Sequence, residues 1–511
     1  MAHILERYGH LIRGVIGCYD RVVITGTLPG ICYAEGMTSL LCSRGIRIFD
    51  YTKWAEPLRD LIRNNAEAIA ASEGLQIEFI RKLRGFRKEE RVKSILDRRG
   101  EHPGLVHIFS AMEACSSYRP WHDKKTGRSF LKPAPGKCLH YYFYFVDPEL
   151  GLCYVRVPTW GPFRLQIYFN AHNWLACRLQ HEAVGFTMLD NAFSHIDDFE
   201  RAQQLSDGFD VARLHKRLDE FARRYCPVHD DVQTEYHWSL MQVEYATDLV
   251  FRNRTDLAPI YETLVRTAVH CVKPEHIATF LGRRLHGNYT DEIGNDLGVR
   301  IEGTRIRHHM GPAAIKMYDK RGIILRIETT TNDVGFFKHH RKVEQTDGTT
   351  KFKLAPVRKT IYSLFPDLRE LLAAANRRYL EFLSALDDPS SGIRALEKTT
   401  QPASDNGRTH RGFNFFAPPD LQLLEVLGRG EVAVAGVRNR DLRQHIDGLS
   451  TWSASTSLKR LRTHGLIKKV AHTYKYYLTD LGRRVVLAGL KLKHLVLIPA
   501  LAKPFDQPIT A

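Results

Sequence analysis

The spacing of hydrophobic and polar positions changes character several times along the chain, and the changes divide it. In residues 1–200, short apolar runs bounded by turn signals predict strands over 21–26, 46–49, 104–110, 139–146, 152–157 and 163–169. Asp147-Pro148 and the stretch from Pro158 to Pro162 punctuate the last three. Helical spacing covers 51–71, 87–99 and 173–182, and 186–196 reads as a further strand. Residues 210–225, 236–251 and 256–270 show 3.6-residue apolar spacing, which predicts helices. Residues 298–333 return to strands. A helix over 368–386 places Leu371, Leu372, Ala375, Leu380 and Leu383 inward. Residues 387–415, rich in Ser, Pro, Gly, Asn and charge, read as a linker. The expected class is α+β and multidomain: a mixed α/β region over 1–200, a helical and β-hairpin region over 201–386 that can be continuous with the first, the linker, and a C-terminal domain over 416–511.

That C-terminal stretch has the order helix, helix, helix, hairpin, helix. Residues 420–427 place Leu421, Leu424 and Leu427 on one face. Residues 439–446, with Asn439 as cap, bury Leu442 and Ile446. Residues 451–464 turn Leu458 and Leu461 inward and Lys459, Arg460 and Arg462 outward, and Gly465 ends that helix. Two alternating strands, 466–470 and 474–478, flank Ala471-His472-Thr473, and Thr479 caps the closing helix. From Arg438 to His494 stand thirteen Lys or Arg against three Asp or Glu, which is +10 of the chain's formal +17. Such a basic concentration is the footprint of phosphate neutralisation. Residues 458–467 and 476–483 resemble the winged-helix domains of MarR-type transcriptional regulators. The resemblance covers about 80 residues and implies that Ser455, Lys459, Arg460, Arg462, Lys468, Lys469 and Lys475 face duplex DNA, the third helix entering the major groove. The alternative use of the same fold is dimerisation or another protein contact.

Chemistry gathers in residues 313–331. Strong β-formers flank Lys320-Arg321-Gly322, which reads as a three-residue hairpin loop pairing Asp319 with Ile323 and Lys316 with Arg326. Alternation then puts Ile315, Met317, Leu325 and Ile327 on the core face, and Lys316, Tyr318, Arg326 and Glu328 on the other. A phenol can attack phosphorus, a carboxylate can hold a divalent cation, and cations can stabilise the developing charge. The plainer account of this face is a solvated strand with a Lys–Glu cross-strand contact and Asp319 opening the turn. The segment is similar to the Lys-x-Tyr-Asp-Lys … Arg-x-Glu hairpin of rolling-circle replication initiators and relaxases. This implies nicking and rejoining of single-stranded DNA with Mg²⁺ or Mn²⁺, Tyr318 as nucleophile, Lys316 and Arg326 as phosphate clamps, and Glu328 and Asp319 as metal ligands. The His-hydrophobe-His motif common in that superfamily is absent, and His308-His309 and His339-His340 are adjacent pairs that point to opposite faces of a strand.

Glu244 and Asp248, four apart in a segment read as helix, share a face and are further metal candidates; a solvated face or partner arginines are the plainer account of them. Asp20, before the strand at Arg21, reads as a turn residue or a lone nuclease-like carboxylate, and Asp197-Asp198 as a helix cap. Tyr141 to Phe145, the Arg305–Arg307–His309 alternation and Phe336 to Arg341 interleave aromatic and basic groups. Nine scattered cysteines without a C-x-x-C pair read as reduced thiols, and no P-loop, Rossmann or nucleophile-elbow motif occurs. The absence of an apolar run of 18 residues or a secretory start predicts a cytoplasmic protein without a membrane partner. The chain as a whole resembles a bacterial family of unassigned function associated with mobile DNA. The expectation is a DNA-binding protein of a mobile element or plasmid that nicks single-stranded DNA. The alternatives are a non-enzymatic winged-helix transcription regulator acting as a homodimer, and an RNA-binding protein.

Overall fold

The computed structural model describes residues 2–81, 84–285, 289–300, 303–385, 390–405, 407–471 and 473–502. His472 of the expected wing turn, and parts of the expected linker and of the 298–333 strand region, lie outside these residues. The class is α+β. Two compact units divide the chain, Met1–Leu386 and Asp387–Ala511.

The first unit is built on fifteen described strands: β1 (Ile12–Thr27), β2 (Ile77–Phe79), β3 (Gly104–Asp123), β4 (Arg128–Asp147), β5 (Gly151–Pro158), β6 (Leu165–Phe169), β7 (Phe186–Met188), β8 (Phe193–Ile196), β9 (His237–Phe251), β10 (Ile293–Arg300), β11 (Gly303–Met310), β12 (Ala313–Lys320), β13 (Ile324–Thr331), β14 (Lys338–Glu344) and β15 (Thr350–Pro356). Eleven form one sheet in the order β10-β11-β12-β13-β9-β1-β6-β5-β4-β3-β2. Every neighbouring pair is antiparallel except β2 with β3. The sheet therefore runs without a break from the first expected region into the second. β7–β8 and β14–β15 stand as separate two-stranded ribbons.

β1 and β9 sit at the middle of the sheet and are paired along their whole lengths. Their apolar residues are buried on both faces: Val22, Val23 and Ile24 on β1, and Val243, Tyr245, Ala246, Leu249 and Val250 on β9 are all at most 3 % exposed. Two-sided burial erases the alternation that marks a strand, which is why 236–251 reads as helical in the sequence; the structure corrects it to a strand. Helix Arg369–Ala385 covers one face. Its Asn376 donates to the Tyr245 carbonyl and Thr247 Oγ1 and accepts from Thr329 Oγ1. The other face carries the β7–β8 ribbon, whose Ala192 packs on Val250 and Ile324, and the start of helix Ala171–His181, whose His172 reaches Arg326, while helix Phe199–Asp207 lies along β1 with Gln203 and Ser206 bonded to the Gly17 backbone. Two smaller expectations change as well. Residues 46–49 enter a single 3₁₀ turn, Ile48–Asp50, before helix Tyr51–Ser72, and 186–196 is a hairpin rather than one strand.

The second unit contains helices Ser390–Thr400, Pro418–Leu427, Gly430–Ala435, Asn439–His445, Thr451–Thr463 and Asp480–Lys491, and two-stranded ribbons β16 (Ala403–Asp405)–β17 (Arg408–His410) and β18 (Ile467–Lys469)–β19 (Tyr476–Leu478). A helix and a two-stranded ribbon thus lie inside the stretch whose composition suggests a linker. Leu424, Leu442, Leu458, Leu461 and Leu466 form its core. Asn439 is not the cap of its helix: Arg438 takes that place, and Asp441 accepts the Arg438 backbone N–H at 2.8 Å. Thr479 does cap the last long helix, accepting from Gly482 N at 3.0 Å and donating to the Gly465 carbonyl at 2.6 Å. Thr479→Ala is expected to lower the stability of this unit by about 1 kcal/mol, seen as faster hydrogen exchange across Asp480–Lys491.

Candidate metal centre

The β12–β13 hairpin turns through Arg321-Gly322-Ile323, one residue later than the sequence suggests. Arg321 (φ 60°) and Gly322 (φ 71°) both take left-handed backbone. The register is accordingly Lys316 opposite Glu328 and Tyr318 opposite Arg326. A shift of two positions preserves the faces, so Lys316, Tyr318, Arg326 and Glu328 share one side. β9 adds Asp248 opposite Arg326, and Glu244 opposite Thr330, four pairs further along and on the same face. β1 adds Asp20. The pairing steps from Tyr19–Tyr245 to Arg21–Glu244, leaving Asp20 as the extra residue of a β-bulge. A bulge re-aims a side chain, and this one brings Asp20 onto the face of Glu244.

Carboxylate oxygens of Asp20, Glu244 and Glu328 all lie within 4.8 Å of one another. Lys316 Nζ is 2.6 Å from Glu328 Oε1 and 3.7 Å from Glu244 Oε1. The Tyr318 hydroxyl donates to Glu328 Oε2 at 2.8 Å. Burial and the neighbouring Glu328 push the Glu244 carboxyl up to about 7, against the pull of Lys316. Three hard oxygen donors with an excess of negative charge suit Mg²⁺, Mn²⁺ or Ca²⁺. The cluster is therefore chemically fit to hold a divalent cation through Asp20, Glu244 and Glu328.

Beside it lies a second, closed network. Arg326 is fully buried and grips Asp248 with two 2.6 Å contacts, Nε to Oδ1 and Nη2 to Oδ2. It also lies 3.2 Å from Asp20 and donates to the Asn191 carbonyl at 2.7 Å. Burial opposes its charge, but Asp248 and Asp20 outweigh that and raise its pKa further. His172 sits 3.4 Å from Arg326 Nη2; burial and that guanidinium push it down to about 3, so it is a neutral acceptor there. Asn170, which caps helix Ala171–His181, donates to Asp20 at 3.2 Å, and Asn191 donates to Asp20 as well. Lys320 donates to the Asn191 side chain; burial and Arg326 lower it to about 8.

Several expected roles change. Arg326 does not face solvent as a phosphate clamp, because it is fully buried with Nε and Nη2 bonded to Asp248. Asp248 is the partner of that arginine and not a member of the three-carboxylate group. Asp319 lies on the opposite face, with Leu325, and accepts the Gly322 N–H in the turn, so it does not meet Glu328. Tyr318 and Glu328 are together, and both are buried, at 3 % and 1 % exposure. His172, Asn170 and Asn191 carry no local signal in the sequence, whereas Lys320 stands in it as the last lysine of the Lys-x-Tyr-Asp-Lys stretch. Asp20 carries one only as an isolated acid.

In the second unit, Ser455, Lys459, Arg462, Lys468 and Lys469 are exposed and Lys475 is half-buried. Arg462 pairs with Asp405, and Ser455 accepts from Asn439. Arg460 is not outside. It is buried against Asp420 through 2.6 and 2.9 Å contacts, donates to the Arg411 and Gly412 carbonyls, and stacks 3.9 Å from the Phe413 ring. No helix of the described residues is long and apolar enough to cross a membrane.

No protein-family profile matches the chain. It is 25% identical to Pseudohemocyanin-1 of Homarus americanus over 248 residues, 45% of this chain and 34% of that protein, so it spans about a third of that relative's length. Among solved structures, it is similar at 9% identity to a rolling-circle replication initiator protein from Geobacillus stearothermophilus. That likeness covers 62% of this chain and 75% of the other, with a TM-score of 0.19. Neither likeness establishes a family or a fold, and the functional reading rests on the geometry.

Proposed function

We propose that the chain is a divalent-cation-dependent protein of a mobile element or plasmid that nicks and rejoins single-stranded DNA, with a C-terminal winged helix that docks on duplex DNA. The observation that carries the reading is the convergence of Asp20, Glu244 and Glu328 with the Tyr318 hydroxyl on Glu328. A divalent cation at these carboxylates supplies charge neutralisation for a phosphodiester. Tyr318 Oη forms the bond to phosphorus, and its proton passes to Glu328 Oε2, which already accepts it. The P–O3′ bond breaks, and the departing oxygen takes a proton from Lys316 Nζ, which solvent restores. The products are a 5′-phosphotyrosine and a free 3′-hydroxyl, and the reverse sequence rejoins the strand. Because Tyr318 is 3 % exposed, substrate must reach it by displacing part of its cover. The exposed Lys459, Arg462, Lys468 and Lys469 support the duplex-docking part of the reading.

The burial of Tyr318 also favours the second reading, a regulator that binds DNA without cutting it. One experiment separates the two. Protein incubated with single-stranded or supercoiled DNA and Mg²⁺ or Mn²⁺ is expected to give a covalent adduct and a nick, both absent from Tyr318→Phe. Salt-sensitive duplex binding with no adduct from the unaltered protein would leave the regulator.

A further inference from the structure

β14 and β15 leave the sheet as a free two-stranded ribbon. Between 338 and 359 stand seven Lys or Arg and two acids. The register pairs Lys342 with Phe352, His340 with Leu354 and Lys338 with Pro356, so these side chains share one face. That face is open: Phe352 is 70 % and Leu354 56 % exposed, and Lys338, His340 and Lys342 are exposed as well. The rings of His340 and Phe352 stack at 5.7 Å and 24°. Lys338 and Lys342 make no ion pair with any described residue. On the other face Arg341 stands directly opposite Lys353.

None of this favours the ribbon as a structural element. An isolated hairpin is marginal in water. Like charges directly across a strand pair destabilise it, and a solvated Phe and Leu gain nothing from burial. A polyanion offsets the cost on the open face: its bases cover Phe352 and Leu354, and its phosphates pair with Lys338 and Lys342.

We propose that the β14–β15 ribbon is a binding surface for single-stranded nucleic acid, with Phe352 and His340 stacking an unpaired base and Lys338 and Lys342 contacting the flanking phosphates. The stacked, open ring pair selects a single strand over a duplex, because paired bases keep their faces in their own stack. The assignment does not depend on whether the carboxylate cluster cuts DNA, and its test is run in EDTA.

Full-length protein is titrated with a fluorescent oligo(dT), an oligo(rU) of equal length and a hairpin duplex, across a salt series. Phe352→Ala is expected to weaken single-strand binding by about 5- to 150-fold and leave duplex binding as it was. Lys338→Gln with Lys342→Gln is expected to lower the slope of log affinity against log salt by about 1.4 on single strands, two phosphates at about 0.7 each. The dT and rU arms tell which sugar is preferred, and loss on either supports the assignment. Unchanged affinity in both variants would overturn it. Equal losses on single strand and duplex would overturn it too, making the ribbon a groove-binding element. Phe352 lies in solvent, so its replacement leaves the core intact, and the charge variant tests the same surface by a separate readout.

Discussion

Arg326→Met is expected to destabilise the first unit by about 3–5 kcal/mol, because it leaves a buried carboxylate without its counter-ion. Asp248 is 0 % exposed, and its hydrogen bonds in the structure come from Arg326 alone among the described residues. Asp20 loses one cation but keeps Asn170 and Asn191. The penalty therefore falls mainly on Asp248, and a second substitution should recover part of it. Asp248→Asn in the Arg326→Met background removes the uncompensated charge, so the double variant is expected to be more stable than the arginine variant alone. Guanidinium midpoints for the four proteins of this cycle give the coupling directly. If Arg326→Met unfolds at the same denaturant concentration as the unaltered chain, the buried pair is not what holds β13 against β9. The same result would reopen a role for this arginine at a substrate phosphate.

The faces of the candidate site were legible before the structure, and their depth was not. Alternation placed Lys316, Tyr318, Arg326 and Glu328 on one side of a hairpin, and that survives a turn displaced by one residue because a register change of two conserves the face. Glu244 and Asp248 show how a right outcome can come from the wrong period. Four residues apart, they share a face in a helix and in a strand alike, so misreading β9 as helical did not separate them. What alternation cannot show is which polar face is covered. The elements that bury Arg326 are the start of helix Ala171–His181 and the turn between β7 and β8, and Asn191 in that turn lies 135 residues from the arginine it contacts. Asp20 was hidden differently. Its place among the carboxylates depends on a bulge, and a bulge has no fixed sequence mark unless glycine makes it. Arg460 failed for a related reason: helical spacing puts it beside Leu461 at the edge of the apolar face, and only Asp420 and Phe413, contributed from before the third helix, turn that edge into the interior. The α+β class needed less information, since it followed from the mixture of periods alone.

Without divalent cation the protein is expected to lose stability as pH rises from about 4 to 7, and Glu244→Gln is expected to remove most of that loss. In the unfolded chain Glu244 gives up its proton near the ordinary glutamate value of about 4.3. In the fold, burial and Glu328 hold the proton to about 7. Between those values the folded state binds the extra proton, so the stability linked to this group is complete below about pH 4 and is lost as pH climbs through 7. The loss is on the order of 3 kcal/mol. Glutamine stays neutral throughout, so the difference between the two proteins' stability curves reports this carboxyl together with its interaction with Glu328. A cation at Asp20, Glu244 and Glu328 needs the deprotonated form and acts in the opposite direction. Above pH 7, Mg²⁺ or Mn²⁺ at a hundred times its dissociation constant should return about 2.7 kcal/mol to the unaltered protein and much less to Glu244→Gln. Matching pH profiles for the two proteins would mean that Glu244 is ionised in the fold at ordinary pH, with Lys316 and Arg21 sufficient to hold it. Equal stabilisation of both by the cation would place the metal elsewhere. The two halves are separable, because the proton effect is read in EDTA and the cation effect at one fixed alkaline pH. The tyrosine chemistry requires the second half: if the carboxylates do not gather a cation when Glu244 is charged, the nearby cations Lys316, Arg21 and Arg326 are outnumbered by Asp20, Glu244, Glu328 and Asp248 before the negative phosphodiester arrives.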